Sequence, residues 1–160
     1  RPILLTFDDG SETVYTEALP IMKIYGFTGT AYIVDNYIGA TRYMNKIQIR
    51  ALYEAGWEIG SHSLSHHDVT TRPAKQEEEI VKSRRRLESY LEVPINSFAY
   101  PFGAYDNASL KLVKSAGYIA AMGLGDRSAQ GKENIFYLYR QSVTAETTLE
   151  VFINLLPWEP

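Results

Sequence analysis

The chain has 160 residues, of which 45% are hydrophobic, and a formal net charge of -3. This length and apolar content suffice for one domain with a buried core and exclude a disordered tail, so we expect residues 1–160 to form a single domain. The negative charge argues against a nucleic-acid-binding protein, whose affinity depends on concentrated positive charge. The basic run at residues 84–86 lies in a helical stretch rich in Glu, where a solvated helix face explains it better.

The sequence contains no cysteine, which excludes disulfides, thiolate nucleophiles and cysteine-ligated zinc. This composition is compatible with a secreted or envelope protein. No apolar run approaches the roughly 18 residues that a membrane-spanning helix requires. Because the chain begins Arg-Pro rather than Met, we expect a mature or trimmed fragment, with any targeting segment outside it.

Apolar segments alternate with amphipathic segments along the chain. The patterns predict strands at residues 3–7, 29–34, 57–59, 97–100, 118–122 and 136–139. They predict helices at residues 14–25, 45–55, 73–91, 107–115 and 147–156. This alternation predicts a parallel sheet with helices packed outside it, either open or closed into a barrel. In both arrangements, functional side chains gather where the strands end.

The first strand end carries the tetrapeptide FDDG, which places Asp8 beside Asp9. Two adjacent carboxylates repel each other, and either a nearby cation or exposure to water relieves the repulsion. Successive strand side chains point to opposite faces, but a turn at Gly10 can bring both carboxylates to one pocket. One carboxylate can then bind a metal while the other acts as a base. The alternative is that Asp8 caps a helix and Asp9 is solvated.

All three histidines of the chain lie in GSHSLSHHD at residues 60–68, just after the strand predicted at residues 57–59. His62 and His66 are four residues apart, so a tight loop can aim both imidazoles at one point. Two imidazoles and one carboxylate make a common zinc site, with water as the fourth ligand. Such a pair also occurs as ordinary surface histidines. The acidic pair at a neighbouring strand end favours the metal site.

The segment FAYPFGAYD at residues 98–106 forms the third group of interest. Pro101 and Gly103 indicate a sharp loop at a strand end, and Asp106 or Asn107 can cap the helix that follows. Such a loop can direct a backbone N–H, here that of Phe102, toward an oxyanion. The same sequence is also typical of an ordinary strand-to-helix turn.

Three motifs in order, TFDDG at residues 6–10, HSLSH at 62–66 and YPFG at 100–103, resemble those of the polysaccharide deacetylases. This family is the NodB-homology domain, carbohydrate esterase family 4, and the resemblance covers nearly the whole chain. It implies an α/β fold, a distorted (β/α) barrel of parallel strands with outer helices. It implies a divalent metal, usually Zn²⁺, with Co²⁺, Mn²⁺ or Ni²⁺ as alternatives. The implied reaction removes acetyl groups from peptidoglycan, chitin-like polymers or poly-N-acetylglucosamine, outside the cell or in its envelope.

The resemblance also implies roles for single residues. Asp8 corresponds to the catalytic base that deprotonates water. The metal ligands correspond to Asp9, His62 and His66. The backbone N–H of Phe102 corresponds to the oxyanion donor, at a position where many members carry Tyr.

Further positions have supporting roles by the same resemblance. Ser63 corresponds to a small hydroxyl residue that steadies the histidine loop. Substrate contacts are expected at Pro101, Phe102 and Tyr105. Other aromatic side chains are candidates for stacking on sugar rings, although most tyrosines in such a fold pack between helices and sheet: Tyr37, Tyr43 and Trp158.

The chain departs from the family pattern in two ways. Many members carry a late histidine as the general acid, but no histidine follows His67. Asp8 can return the proton, the acid can lie beyond Pro160, or the protein can be a poor amide hydrolase. Many members also carry an arginine in the third motif that orients the base, where this chain has Ala99. Arg140 can supply that guanidinium from another strand end, or it is a surface arginine.

Three other functions compete with an N-deacetylase. An esterase acting on acetylated xylan fits a site without a general acid, because an alkoxide leaves more readily than an amide nitrogen. A homologue that binds sugar without catalysis is consistent with the missing histidine, but sugar binding does not require a base such as Asp8. A magnesium-dependent phosphoryl-transfer domain also places acidic pairs at strand ends, but it does not need His62 and His66.

Overall fold

Five short parallel strands form one sheet, and their order in space follows their order in the chain. The structure is a computed structural model that describes residues 3–125 and 130–156. The strands are β1 (Thr6–Phe7), β2 (Thr30–Ile33), β3 (Glu58–Ser61), β4 (Ser97–Ala99) and β5 (Ala120–Met122). The sheet curls into a half-barrel, which confirms the predicted α/β class and the distorted barrel of parallel strands.

Sequential pairing explains the curl of the sheet. The pairing of β2 with β3 runs from Thr30 opposite Glu58 to Ile33 opposite Ser61. Every connection moves one strand further in the same direction. Because parallel crossovers are right-handed, the connecting helices then cover one face and the sheet winds toward a barrel.

The helices confirm the predicted segments, with bounds that differ by a few residues. They are α1 (Leu19–Ile24), α2 (Lys46–Glu54), α3 (Ser83–Leu91), α4 (Asn107–Ser115) and α5 (Leu149–Leu155). Widened π-helical turns, Val14–Ala18 and Glu78–Lys82, lead directly into α1 and α3. Asp106 caps α4 by accepting a hydrogen bond from the Ser109 N–H at 2.7 Å, as one of the two predicted capping residues.

The strand predicted at residues 136–139 is wrong. Only Leu138 pairs with β5, through a single bridge to Met122. The preceding chain is occupied by a 3-10 turn, Lys132–Asn134, and the Tyr137 N–H donates to the Asn134 carbonyl at 2.9 Å. Residues committed to that turn cannot form a continuous strand beside β5, although Leu138 still exchanges backbone hydrogen bonds with Ala121 and Gly123.

The core has two layers, one on each face of the sheet. The larger layer packs strand residues such as Ile33, Ile59 and Phe98 against apolar helix residues that include Leu52 and Leu87. The smaller layer fills the concave side with Tyr32, Ala99 and Met122, all buried. No helix within residues 3–125 and 130–156 is long and apolar enough to cross a bilayer.

The strand ends bring the three sequence motifs to one edge of the half-barrel. β1 ends at Phe7, immediately before Asp8, and β3 ends at Ser61, immediately before His62. β4 ends at Ala99, just ahead of the YPFG loop. Carboxyl ends of parallel strands meet at the same edge of a sheet, so residues far apart in the chain become neighbours.

Candidate metal centre

Asp9, His62 and His66 form a cluster whose potential ligand atoms all lie within 4.8 Å of one another. Asp9 Oδ1 lies 3.5 Å from His62 Nε2 and 3.3 Å from His66 Nε2. The structure therefore brings together the three residues that the motifs single out as metal ligands.

His62 is held in one orientation by a backbone contact. Its Nδ1 lies 2.8 Å from the carbonyl oxygen of Ala99, so a neutral ring donates from Nδ1 and leaves a lone pair on Nε2. Burial lowers the pKa of His62, which is only 2% exposed, and this favours the neutral imidazole. A neutral imidazole with a free Nε2 is the form that binds metals.

The loop between the two histidines and the turn after β1 both use left-handed backbone. Ser63 has φ 69° and His66 has φ 59°, values that are uncommon for residues other than glycine. The Ser63 hydroxyl accepts a hydrogen bond from the His66 N–H at 2.9 Å, which stabilises the turn that aims His66 at Asp9. After β1, Asp9 has φ 70° and Gly10 has φ 79°, which agrees with the turn expected at Gly10.

Asp8, in contrast, is paired with a guanidinium. Arg140 donates two hydrogen bonds to its carboxylate, at 2.7 Å to Oδ1 and 2.8 Å to Oδ2. Burial alone raises the pKa of Asp8, but the hydrogen bonds and charge of Arg140, with smaller contributions from His62 and His66, outweigh burial and leave the pKa lowered. Asp8 Oδ2 also lies 3.7 Å from His62 Nε2, so an ionised carboxylate stands beside the cluster.

The remaining contacts of Arg140 connect it to the first and last strands of the half-barrel. Its Nη1 donates to the Thr6 hydroxyl at 3.1 Å, on β1, and its Nε donates to the Gly123 carbonyl at 3.2 Å, just after β5. Ala99, the position that carries arginine in many family members, instead offers its backbone carbonyl to His62. Arg140 thus makes the contact with Asp8 that would orient this carboxylate. The effect of that contact on catalysis stays a prediction.

The cluster fits a divalent cation on its own geometry. Asp9 Oδ1 is buried and accepts no hydrogen bond from any residue that the structure describes. His62 Nε2 turns a lone pair toward the same oxygen, an arrangement that repels unless a proton or a cation lies between. Two imidazole nitrogens and one carboxylate oxygen are the donor set of many catalytic zinc sites.

The YPFG loop lies against this cluster. Pro101–Gly103 forms a 3-10 turn in which Phe102 takes φ 60° and ψ 10°. The Phe102 ring is 65% exposed and packs edge-on against the His66 ring, with centroids 4.8 Å apart. Phe102 is thus brought beside the candidate metal ligands, whereas the Pro101 side chain is buried.

The aromatic candidates for sugar binding have different surroundings. Tyr105 packs between Tyr100 and Tyr137, with centroid distances of 5.4 Å to each, so both neighbours already contact its ring. Tyr37 and Tyr43 lie 4.6 Å apart, and Tyr37 lies 6.4 Å from His66. Tyr37 therefore lies beside the cluster, and Tyr43 packs against Tyr37. Trp158 lies outside the described residues.

One residue near the cluster was missed as a contributor to the site. Glu79 lies outside the three motifs, but its side chain is buried and accepts hydrogen bonds from the histidine loop. The helical spacing of Glu79 with Ser83 and Leu87, both buried, places it on the inner face of its helix. That spacing is the signal that could have found it.

Comparison with known proteins identifies the family of the chain. Residues 1–121 match the family described as polysaccharide deacetylase. The poly-beta-1,6-N-acetyl-D-glucosamine N-deacetylase of Staphylococcus aureus is 26% identical over 155 residues, which is 88% of this chain and 53% of that protein. The chain spans about half the length of the curated relatives it matches.

Solved structures show the same fold. The deacetylase PplD of Streptococcus pyogenes superposes with a TM-score of 0.88 at 23% identity, covering 98% of this chain and 70% of that one. A polysaccharide deacetylase of Bacillus cereus superposes with a TM-score of 0.85 at 22% identity, covering 96% and 51%. The half-barrel is thus the fold of these deacetylases. The chain belongs to the polysaccharide deacetylase family, carbohydrate esterase family 4.

Proposed function

We propose that residues 1–160 form the catalytic domain of a metal-dependent hydrolase that removes acetyl groups from N-acetylglucosamine-containing polysaccharide. The observation that carries the proposal is the pairing of two adjacent carboxylates with different partners. Asp8 is held ionised by the two hydrogen bonds from Arg140, and Asp9 faces the imidazoles of His62 and His66. A base next to a metal-binding cluster is the arrangement that hydrolysis of an acetamide needs.

The cation belongs with Asp9, His62 and His66. When bound there, Zn²⁺ or another divalent transition metal such as Co²⁺, Mn²⁺ or Ni²⁺ supplies Lewis-acid chemistry, which polarises the acetyl carbonyl and eases deprotonation of water. The hydrogen bond between His62 Nδ1 and the Ala99 carbonyl supports this assignment, because it fixes the ring that offers Nε2.

Asp8 acts as the general base. It accepts a proton from water as the water oxygen forms a bond to the acetyl carbonyl carbon, and the Phe102 N–H donates to the developing oxyanion. The carbon–nitrogen bond then breaks, Asp8 returns the proton to the departing amine, and acetate is released. This return of the proton accounts for a chain in which no histidine follows His67. Arg140 keeps the carboxylate aligned throughout.

The substrate is an acetylated polysaccharide found outside the cell or in its envelope. Support for this class comes from the name of the S. aureus relative, a poly-beta-1,6-N-acetyl-D-glucosamine N-deacetylase. The exposed Phe102 ring supplies apolar surface on which a sugar ring can pack, while the buried Pro101 and the partly buried Tyr105 support the same loop.

The direct test is acetate release by zinc-loaded protein from N-acetylglucosamine oligomers, compared with Asp8→Asn. Loss of a general base lowers rates by about 10²- to 10⁴-fold, so we expect release by the wild type and a drop of that size in the variant. Zinc binding, measured separately, should survive in Asp8→Asn and be abolished in His62→Ala.

The other outcomes identify the competing functions. Release from acetylated xylan but not from the oligomers would make the protein an esterase. Zinc binding without release from either substrate would make it a sugar-binding homologue. Activity that persists in His62→Ala with magnesium would contradict the metal assignment.

A further inference from the structure

Glu79 lies outside the three motifs, yet its carboxylate contacts the loop that joins the two candidate histidine ligands. Its Oε2 accepts hydrogen bonds from the backbone N–H groups of Leu64 at 3.1 Å and Ser65 at 2.9 Å. Its Oε1 accepts a hydrogen bond from the Ser65 hydroxyl at 2.5 Å. Three donors of one loop therefore converge on a single side chain from a helix.

These bonds act on a loop that local preference does not favour. Ser63 and His66 both have positive φ, which residues with a Cβ rarely adopt. Leu64 is buried, so its N–H cannot turn to solvent if Glu79 is removed. A conformation that leaves a buried donor without a hydrogen-bond acceptor is destabilised. The Glu79 carboxylate thus accepts hydrogen bonds from the Leu64 and Ser65 N–H groups while the loop keeps its strained backbone conformation.

A second contact keeps the helix in place relative to the loop. The Ser83 hydroxyl, one helical turn after Glu79, lies 2.9 Å from the Ser61 hydroxyl at the end of β3. Ser83 also donates to the Glu79 carbonyl at 2.7 Å. The helix therefore contacts the chain just before His62 and again between His62 and His66.

We infer that Glu79 is a positioning residue for the metal centre, which holds the loop at residues 62–66 in the conformation that aims both imidazoles at Asp9. The inference rests on the proposed metal site and adds a residue to it. Glu79 does not touch the cluster, so its effect passes through the loop backbone. Groups that orient metal ligands in this way typically change metal affinity by about 10- to 100-fold when they are removed.

Three substitutions at Glu79 separate the effects of its hydrogen-bond acceptors, its charge and its volume. Glu79→Leu keeps most of the volume but removes the acceptors, and Glu79→Ala removes both. Glu79→Gln keeps one oxygen for the two N–H groups, while its amide nitrogen can donate to the Ser65 hydroxyl. The matched control is Glu78→Gln, since Glu78 is on the same helical turn and contacts only Lys75 and Lys82 among the described residues.

The readouts are zinc affinity, by competition with a chromophoric chelator, and the visible absorption of the cobalt-loaded protein. We expect Glu79→Leu and Glu79→Ala to lose about 10- to 100-fold in zinc affinity and to show an altered cobalt spectrum. Glu79→Gln and the Glu78→Gln control should stay near the wild type. Circular dichroism and thermal unfolding establish that each variant is folded.

Wild-type zinc affinity and cobalt spectrum in folded Glu79→Leu or Glu79→Ala would overturn the role of Glu79 alone. If neither variant folds, Glu79→Asp decides, because its shorter carboxylate keeps the charge but cannot reach both N–H groups, and unchanged affinity there would overturn the inference. Absence of zinc binding by the wild type would overturn the proposed metal centre, and this inference with it.

Discussion

Asp8 and Asp9 are neighbours in the chain, but their carboxylates have different partners. Asp8 accepts two hydrogen bonds from a guanidinium, whereas Asp9 faces two imidazole nitrogens and has a buried oxygen without a hydrogen bond from the described residues. The turn at Asp9 and Gly10, both with positive φ, separates the two side chains. Arg140 thus offsets the charge of Asp8, and the cation proposed to bind Asp9, His62 and His66 would offset that of Asp9.

Arg140→Lys tests orientation of Asp8 at the level of one side chain. Lysine keeps the positive charge but cannot form two parallel hydrogen bonds to a carboxylate. We expect kcat for acetate release to fall about 10- to 100-fold through misalignment of the base, with KM and zinc affinity little changed. Steady-state kinetics and zinc titration measure this, with Arg85→Lys, an exposed position, as the control. An unchanged kcat in Arg140→Lys would show that charge alone suffices.

At the scale of elements, the sequence predicted what depends on local contacts. Local residues account for the cap of α4 and for the strand ends before Asp8 and His62. The contact between Arg140 and Asp8 spans 132 residues and has no local pattern. The segment at residues 136–139 has apolar residues of strand type, but it follows the turn at Lys132–Asn134 and pairs with β5 only at Leu138. The burial of Glu79 likewise depends on what packs against its face of the helix.

The capping box of α4 makes a second prediction. Asp106 accepts from the Ser109 N–H and also contacts the Gln76 amide, and the Ser109 hydroxyl accepts from the Asp106 N–H at 2.9 Å. Asp106→Ala should lower the free energy of unfolding by about 1 kcal/mol near neutral pH. Asn107→Ala, at the next and exposed position, is the control and should change it little.

The difference between the wild type and Asp106→Ala should also depend on pH. The hydrogen bond from the Ser109 backbone lowers the pKa of Asp106, and further hydrogen bonds from Ser109 and Gln76 outweigh its slight burial. A depressed pKa adds stability above the ordinary value of about 3.9, and this stability is lost as pH falls through the folded-state pKa. Urea unfolding from pH 6 to pH 3 should therefore show the gap narrowing at the acid end. A gap that widens with acid would contradict this linkage.

For the molecule as a whole, the concave side of the half-barrel is filled by few side chains. Tyr32 is fully buried there, and Gly60 on the neighbouring strand leaves the space for its ring. A Cβ at Gly60 would overlap the Tyr32 ring. The interior of the half-barrel thus depends on a large and a small residue at paired positions of β2 and β3.

Gly60→Ala should accordingly destabilise the protein by about 1–3 kcal/mol through overpacking. The same substitution in a Tyr32→Ala background should cost much less, because the overlapping ring is gone. A double-mutant cycle from urea unfolding measures the coupling between the two positions. Equal costs in both backgrounds would mean that Gly60 is required for another reason.

The position of Arg140 has an evolutionary consequence. The match to the family covers residues 1–121, which include Asp8 and the three candidate ligands, whereas Arg140 lies 19 residues beyond that match. A recombination event between residues 121 and 140 would therefore separate the segment that contains Asp8 and the candidate metal ligands from the segment that contains Arg140. Such a chimera inherits an oriented Asp8 only if its new C-terminal part brings an arginine to the place of Arg140, or if Ala99 is replaced by the arginine that many relatives carry there.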